Sequence, residues 1–174
     1  MRTYLKAASA ARSETVTVRL DRKLRYLAEL AARKQRRTLS SFVEWAIEDV
    51  LGRVVLAEDD ERTVTVRDEA RNLWDVEEAD RFAKLALRYP DLLTHTEQLI
   101  WKIVRDSGFF WIGCYMGLGR QRAWTWRQDE ESLAMERLRN HWETLEKIAT
   151  GQADRSALPE WSPPEDDGDD GIPF

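Results

Sequence analysis

This sequence has few of the residues on which disulfide-stabilised, metal-binding and membrane-spanning proteins depend. It holds one cysteine, Cys114, which excludes an intrachain disulfide. It holds two histidines, His95 and His141, and their spacing from the cysteine matches no zinc-binding pattern. No run of about 18 apolar residues occurs, so the sequence predicts no membrane-spanning helix. We therefore expect no metal, no cofactor and no membrane partner.

Two further absences narrow the function. The N-terminal segment lacks the continuous apolar core of a secretory signal, which predicts a cytoplasmic protein. The adjacent acid pairs at 130–131 and 166–167 do not converge, and the glycine-containing segment 117–119 lacks the spacing of a phosphate-binding loop. The sequence therefore predicts a protein that is not an enzyme.

The charge of the chain is unevenly divided. With 43% hydrophobic and 34% charged residues, the 174-residue chain has enough apolar content for a core. Residues 1–53 hold 12 basic and 6 acidic side chains, a net of +6, whereas residues 54–174 hold 15 and 26, a net of −11. A basic segment on an acidic body indicates an anionic partner for the N-terminal part.

Residues 15–53 carry three periodic patterns in succession. Residues 15–20 alternate strictly, as in a strand with one apolar face, formed by Val16, Val18 and Leu20, and one polar face, formed by Thr15, Thr17 and Arg19. Asp21 is the expected N-cap of a first helix with an apolar stripe. A second helix is expected to begin at Ser40 or Ser41, the latter in capping-box spacing with Glu44, and to end at Gly52.

One six-residue strand and two helices do not make a stable domain. The edges of a lone strand lack hydrogen-bond partners, and about forty residues bury too little surface. A second copy of the chain solves both problems if the two strands pair antiparallel across a twofold axis. The sequence therefore predicts a homodimer.

The order strand, helix, serine-containing turn, helix resembles the ribbon-helix-helix family of Arc, MetJ and CopG-type DNA-binding proteins. The resemblance rests on Thr-Val-Thr-Val-Arg-Leu-Asp at 15–21 and Leu-Ser-Ser-Phe-Val at 39–43, and it covers residues 15–53 only. It implies a ribbon-helix-helix module. Together with the helix signals of the remaining chain, this predicts a mainly α protein whose C-terminal domain is α-rich or α+β. The resemblance also implies that the paired strands enter the major groove of double-stranded DNA.

The resemblance assigns functional roles to individual residues. It implies base contacts from the polar strand face, Thr15, Thr17 and Arg19, which carry suitable groups for base edges. It implies a phosphate site at Ser40, Ser41 and Phe42. A phosphate there has an independent reason, since free N–H groups and the helix dipole favour an anion. Further basic side chains in the same segment are Arg22, Lys23, Arg36 and Arg37.

Outside this module we expect a flexible arm at 1–14, a connector at 54–72, an α-rich domain at 73–149 and an acidic, disordered tail at 150–174. Residues 63–67, Thr-Val-Thr-Val-Arg, repeat residues 15–19 letter for letter. Because the sequence that follows does not reproduce the first helix, we favour coincidence or a minor strand over a duplication.

The body carries several helix signals. One helix is expected from Asp75 to before Pro90, another from the capping box that opens at Thr94, and a last one over 129–149. The apolar run 109–116 fits either a hairpin that turns near 117–119 or a buried helix.

Most aromatic and reactive side chains of the body are expected to be structural. Seven of the eight tryptophans lie in 54–174, where we expect them in the core. The alternative for the Arg- and Trp-rich stretch 120–127 is stacking on bases or on a partner. Cys114 is expected to be a buried apolar thiol, and both histidines are expected at the surface.

The sequence thus predicts a homodimeric, sequence-specific DNA-binding regulator of prokaryotic, phage or mobile-element origin, which is associated with the nucleoid and is most simply a repressor. An antitoxin whose body binds a toxin or another protein is one alternative. A plasmid or phage accessory protein of partition or DNA transfer is a second. A protein that uses 15–53 only to dimerise is a third.

Overall fold

The computed structural model describes residues 15–58, 62–117 and 122–166. Over these ranges the protein is mainly helical, as expected, with short antiparallel strand pairs. The chain divides into unit 1, which ends at Leu51, and unit 2, which begins at Gly52. The elements are α1 (Arg22–Lys34), α2 (Leu39–Leu51), β1 (Val55–Glu58), β2 (Thr63–Thr65), α3 (Val66–Leu73), α4 (Glu78–Arg88), α5 (His95–Asp106), β3 (Cys114–Met116), β4 (Ala123–Thr125), α6 (Met135–Asn140) and α7 (Trp142–Ala149). The arm predicted at 1–14 lies outside the described residues.

The segment predicted as a connector is structured. β1 pairs antiparallel with β2, with Val55 opposite Thr65, and α3 follows without a break. Thr65 caps α3 in a capping box: its amide donates to the Asp68 carboxylate at 2.9 Å, and its hydroxyl accepts from the Asp68 amide. The Thr65 hydroxyl also donates to the Asp68 carboxylate, at 2.7 Å. This bond and the one from the Thr65 amide hold the pKa of Asp68 below its usual range. Residues 54–58 and 62–72 therefore belong to unit 2, and the repeated pentapeptide supplies a minor strand.

The core of unit 2 is formed by α4, α5 and the segments that follow. Phe82 of α4 and Trp101 and Val104 of α5 are buried, and the Trp111 ring packs edge-on against Trp101. The buried Trp111 indole N–H donates to the Val104 carbonyl at 2.8 Å, so this large ring leaves no unsatisfied polar atom. None of the helices in the described ranges is long and apolar enough to cross a lipid bilayer.

The last helix is shorter than predicted and is broken. Leu133, which lies within the predicted helix 129–149, instead forms a β-bridge with Trp111. The helical segment then starts at α6 and is interrupted at His141, where the His141 amide donates to the Arg137 and Leu138 carbonyls and α7 begins afresh. The apolar residues of 129–149 do pack into the core, but the first of them, Leu133, lies in an extended segment before α6.

A bidentate ion pair joins α4 to α6. Both Asp80 carboxylate oxygens accept from the Arg139 guanidinium, at 2.7 and 2.6 Å, across 59 residues of chain. Asp80 is buried, and its hydrogen bond raises the pKa of Arg139 above the usual value. The pairing satisfies a carboxylate that would otherwise be costly inside the fold.

The apolar run after α5 forms a hairpin and not a buried helix. β3 pairs antiparallel with β4, with Tyr115 opposite Trp124. Cys114 lies on this hairpin and is exposed, so the expectation of a buried thiol was wrong. A two-stranded pair has one face outward, and position 114 is on that face.

Within the segment predicted as a disordered tail, residues 158–166 contact the rest of unit 2. Trp161 packs 6.3 Å from Trp124, ring centroid to ring centroid, and lies directly over Gly108. The Tyr115 hydroxyl donates to the Pro164 carbonyl at 2.8 Å. We call residues 158–166 the C-terminal strap. Its prolines and acids indicated disorder, but its tryptophan supplies enough apolar surface to dock it; residues 167–174 lie outside the described ranges.

Candidate nucleic-acid interface

Unit 1 consists of two helices joined by a turn that is made without glycine. α1 begins at Asp21, whose carboxylate accepts from the Lys23 and Leu24 amides at 2.9 and 3.0 Å, as the sequence predicted. At its other end the Arg37 amide donates to the Ala32 carbonyl and the Arg36 amide to the Arg33 carbonyl. This is a Schellman motif, in which the left-handed position is normally glycine. Here it is occupied by Arg36, at φ 55°.

The second helix begins earlier than predicted. Thr38 is the N-cap, because its hydroxyl oxygen accepts from the Ser41 amide at 3.1 Å and its carbonyl accepts from the Phe42 amide at 2.9 Å. The expected caps, Ser40 and Ser41, therefore lie inside α2. Threonine is a good N-cap residue, so Thr38 was a possible start. The capping-box spacing of Ser41 and Glu44 instead favoured a start three residues later.

This shift changes which amides can bind an anion. The Ser41 and Phe42 amides already have acceptors in Thr38. Among the described residues, the amides of Leu39 and Ser40 have none, as the first amides of any helix do. The open N–H groups at the start of α2 are thus those of Leu39 and Ser40, with the exposed Ser40 hydroxyl beside them.

Residues 15–20 form no strand in the single chain. All six are exposed, including the polar trio Thr15, Thr17 and Arg19. The apolar trio is exposed as well: Val16 is 79% and Val18 67% accessible. A strand forms only against a partner strand, and none of the described residues pairs with this segment. The ribbon-helix-helix arrangement accordingly stays a prediction.

The helices of unit 1 also leave their apolar stripes open. Over residues 15–51, Ala32 is the one buried apolar residue. The leucines of the predicted stripe, Leu24, Leu27 and Leu30, are 51%, 49% and 40% accessible. In α2 the exposed apolar side chains are Trp45, Ile47, Val50 and Leu51. Two helices that expose this much apolar surface have no core of their own.

The basic side chains predicted to support DNA binding lie at the surface. Arg22, Lys23, Arg36 and Arg37 are all exposed. The Arg37 guanidinium carbon lies 5.6 Å from the centre of the Trp45 ring. Arg25 and Arg33 differ, because both pair with Glu29. Across the ranges the structure describes, Arg19, Arg22, Lys23 and Arg36 have no carboxylate partner, so their charge is available to an external anion.

The second basic stretch, in unit 2, is engaged by its own chain. Arg122 pairs with Asp166 of the C-terminal strap at 3.3 Å, and Arg127 pairs with Asp129 at 2.9 Å. Trp124 packs against Tyr115 and Trp161. Arg120 falls outside the described residues. The arginine and tryptophan side chains that the structure describes here are thus used for packing and ion pairing, as expected, and not for stacking on bases.

The histidines do not form a site. His95 is exposed in the first turn of α5. The His141 ring lies edge-on to Phe109, with Nδ1 2.9 Å from the Arg137 carbonyl oxygen. Over residues 15–58, 62–117 and 122–166, no group of three His, Cys, Asp or Glu side chains is arranged to hold a metal ion.

Comparison with protein-family models, with curated proteins and with solved structures gave no match to this chain.

Proposed function

We propose that this protein is a homodimeric, sequence-specific DNA-binding transcriptional regulator, most simply a repressor that occupies its operator. One observation carries the proposal: the open apolar face of unit 1 occurs together with basic side chains that have no carboxylate partner in the described ranges. A second copy of the chain would bury the apolar face, and an anion would neutralise the unpaired cations.

A second copy fits the apolar face better than an unrelated protein does. Residues 15–20 alternate so that two copies can pair antiparallel and place Val16, Val18 and Leu20 on one side. The exposed leucines of α1 can then pack against the partner's helices. Because Leu24, Leu27 and Leu30 are already about half-buried, burying the remainder of each stabilises the dimer by about 1 kcal/mol. The same pairing satisfies the edge hydrogen bonds that residues 15–20 lack.

DNA fits the cations better than an acidic protein does. In such a dimer the twofold axis brings together two copies of Thr15, Thr17 and Arg19 on the face opposite the apolar trio. An antiparallel two-stranded ribbon has the width to enter a major groove, and arginine and threonine can contact base edges there. The net charge of +6 over residues 1–53 supports contact with the phosphate backbone. A module used only for dimerisation has no need of this charge.

Base reading and phosphate holding are separable by mutation. We expect Arg19→Ala to weaken binding to the cognate site by about 1–3 kcal/mol, concentrated at particular base pairs, because a bidentate contact to guanine is lost. We expect Ser40→Glu to weaken binding to cognate and random DNA alike, because the added carboxylate repels phosphate at the open amides of α2. An acidic residue in the first turn stabilises a helix, so unfolding of α2 does not explain such a loss.

The measurement uses an operator selected from a random DNA pool and a scrambled duplex, at one fixed salt concentration. Ser40→Gln is the matched control, since it adds similar volume without charge and should bind more tightly than Ser40→Glu. An equal loss on both duplexes for Arg19→Ala would make Arg19 a phosphate contact. Unchanged binding for both Arg19→Ala and Ser40→Glu would favour the protein that only dimerises.

Arg36 provides a second test, because its backbone is strained. A non-glycine residue in the left-handed region lowers the stability of the fold by about 1–2 kcal/mol. Glycine avoids this strain, but its greater freedom in the unfolded chain cancels part of the gain. We expect Arg36→Gly to stabilise the module by up to about 1 kcal/mol and to weaken DNA binding, reducing the salt dependence by the contribution of about one phosphate contact. Arg36→Lys keeps both charge and strain and should resemble the original chain. If Arg36→Gly binds DNA as tightly as before, Arg36 does not contact phosphate.

A further inference from the structure

A groove in unit 2 has the shape and charge of a docking site. It has a volume of about 460 Å³ and lies among α4, α5 and α7, beside the C-terminal end of α3. Phe82 and Ile100 form its buried base, and the half-buried Leu73, Leu85 and Trp142 form its sides. The space accommodates one or two apolar side chains of a partner, and not a folded element.

The edges of this groove are acidic. Glu78 of α4, Glu97 of α5 and Glu146 of α7 all line it. The Glu97 carboxylate accepts from the Thr94 amide and hydroxyl, each at 2.7 Å, in the capping box of α5. The side chains of Glu78 and Glu146 have no hydrogen bond or ion pair with any residue in the part of the chain that the structure describes. Two carboxylates therefore face the opening without a cation.

Among the described residues that line the groove, Arg81 alone carries a guanidinium, and its hydrogen bonds go to the neighbouring loop. Arg81 donates to the carbonyls of Asp75 and Val76, each at 2.9 Å. Its guanidinium carbon also lies 5.3 Å from the centre of the Trp74 ring. Arg81 thus holds the loop between α3 and α4 in place. Three carboxylates against one guanidinium leave the groove negative overall.

An exposed apolar lip adjoins the groove. Trp74, which stacks on Arg81, is 67% accessible, and Val76 in the same loop is 83% accessible. The hydrogen bonds from Arg81 fix the backbone of this loop, so both side chains are presented to solvent at little further cost in conformational entropy. Aromatic side chains held rigidly at a groove edge are typical anchors of protein interfaces.

We propose that this groove binds a basic, amphipathic segment of a partner protein, with an apolar side chain inserted between α4 and α7 and flanking lysines or arginines against Glu78 and Glu146. Charge complementarity selects this occupant, because the carboxylates repel nucleic acid and anionic lipid. The surface belongs to unit 2 and is independent of the DNA-binding proposal for unit 1.

The test uses the full chain and a synthetic helical peptide with leucine on one face and lysine on the other. We expect binding to weaken by at least ~10-fold in the double variant Glu78→Gln/Glu146→Gln, because two charge contacts at a partly desolvated edge are lost. The matched control is Glu131→Gln/Glu136→Gln, which removes the same charge from two exposed positions outside the groove and should change binding less than twofold. Trp74→Ala, at an exposed position that leaves the core intact, should also weaken binding.

Three results would overturn the proposal. Equal binding of a scrambled peptide of the same composition would mean that net charge, and not the groove, attracts the peptide. Equal losses of binding in the groove variant and its matched control would also mean that net charge attracts the peptide. A change of oligomeric state in Glu78→Gln/Glu146→Gln, seen by sedimentation, would assign the groove to a second copy of this chain. DNA binding measured on the same samples should be unchanged, so failure here is distinguishable from failure of the proposed function.

Discussion

A Val18→Asp variant is expected to lose both dimerisation and DNA binding, whereas the neighbouring Thr17→Asp variant is expected to remain dimeric and to lose DNA binding alone. In the proposed ribbon the two side chains point to opposite faces. Val18 then lies in the dimer core, where an unpaired carboxylate costs several kcal/mol and the dimer cannot form. Thr17 lies on the DNA face, where the same carboxylate stays hydrated in the free dimer and is repelled by phosphate in the complex.

The measurement is sedimentation of the full chain at micromolar concentration, followed by DNA binding of the same samples. Both variants carry the same added charge on adjacent residues, so a difference in oligomeric state reflects the face and not the charge. Circular dichroism should show loss of helix in Val18→Asp, because unit 1 has almost no core within one chain. A folded monomer of the unmodified protein, or a dimeric Val18→Asp variant, would contradict the proposed dimer interface.

The helices were predictable where local signals agreed. α1 begins at Asp21 as expected, and α5 opens with the predicted Thr94 capping box, in which the Glu97 carboxylate returns to the Thr94 amide at 2.7 Å. Capping is decided within a few residues, so the sequence carries the whole signal. The strand at 15–20 is different. Its hydrogen bonds would come from a second chain, so the sequence predicts a pairing that one chain cannot form.

The repeated pentapeptide shows how the next few residues decide the structure. After Thr63-Val64-Thr65, a helix begins at once, because Asp68 stands three residues after Thr65 and completes a capping box. Thr17 is the residue that corresponds to Thr65, and Leu20 stands three residues after it. A leucine side chain cannot accept a hydrogen bond from the Thr17 amide, so no capping box forms and the helix begins only after Asp21. Identical segments therefore enter their helices at different positions. A letter-for-letter match alone did not reveal this.

The candidate DNA site was predictable as a surface but not in its details. All of the proposed base-reading and basic side chains are exposed, which the alternation and the polar positions of the stripes indicated. The open amides at the start of α2 lie at Leu39 and Ser40, because Thr38 competed with Ser40 and Ser41 as N-cap. The acidic groove of unit 2 could not be predicted, since α4, α5 and α7 are brought together only by tertiary packing.

The C-terminal strap was mispredicted because composition outweighed one side chain. Proline, glycine and acidic residues dominate 152–174, and such composition is typical of disorder. Trp161 reverses the outcome locally by covering Gly108 and packing against Trp124. Gly108 is essential to this contact: a Cβ at position 108 would lie 2.3 Å from the Trp161 ring, closer than real Cβ contacts occur. Gly108 lies two residues after the end of α5, and its local sequence does not indicate the contact with Trp161.

A Gly108→Ala substitution is therefore expected to expel Trp161 and release the C-terminal strap. The new methyl and the ring cannot occupy the same space, so the strap loses its apolar contact, and the Pro164 and Asp166 contacts that depend on it weaken. Replacing a buried tryptophan costs about 3–5 kcal/mol, and Trp161 is only partly buried, so we expect a loss of about 2–3 kcal/mol in the free energy of unfolding.

A double-mutant cycle isolates this contact. In a Trp161→Ala background the space above residue 108 is open, so adding Gly108→Ala should have almost no further effect on stability, which gives a coupling energy of about 2 kcal/mol. Urea unfolding of all four proteins measures the coupling, and limited proteolysis should cut within 158–166 in every variant but not in the original chain. The cleavage test is needed because a stability loss alone could arise from strain in the turn at Gly108. If Gly108→Ala is equally costly in both backgrounds, or if the strap of the single variant resists protease, Trp161 is not what holds residues 158–166 to the body.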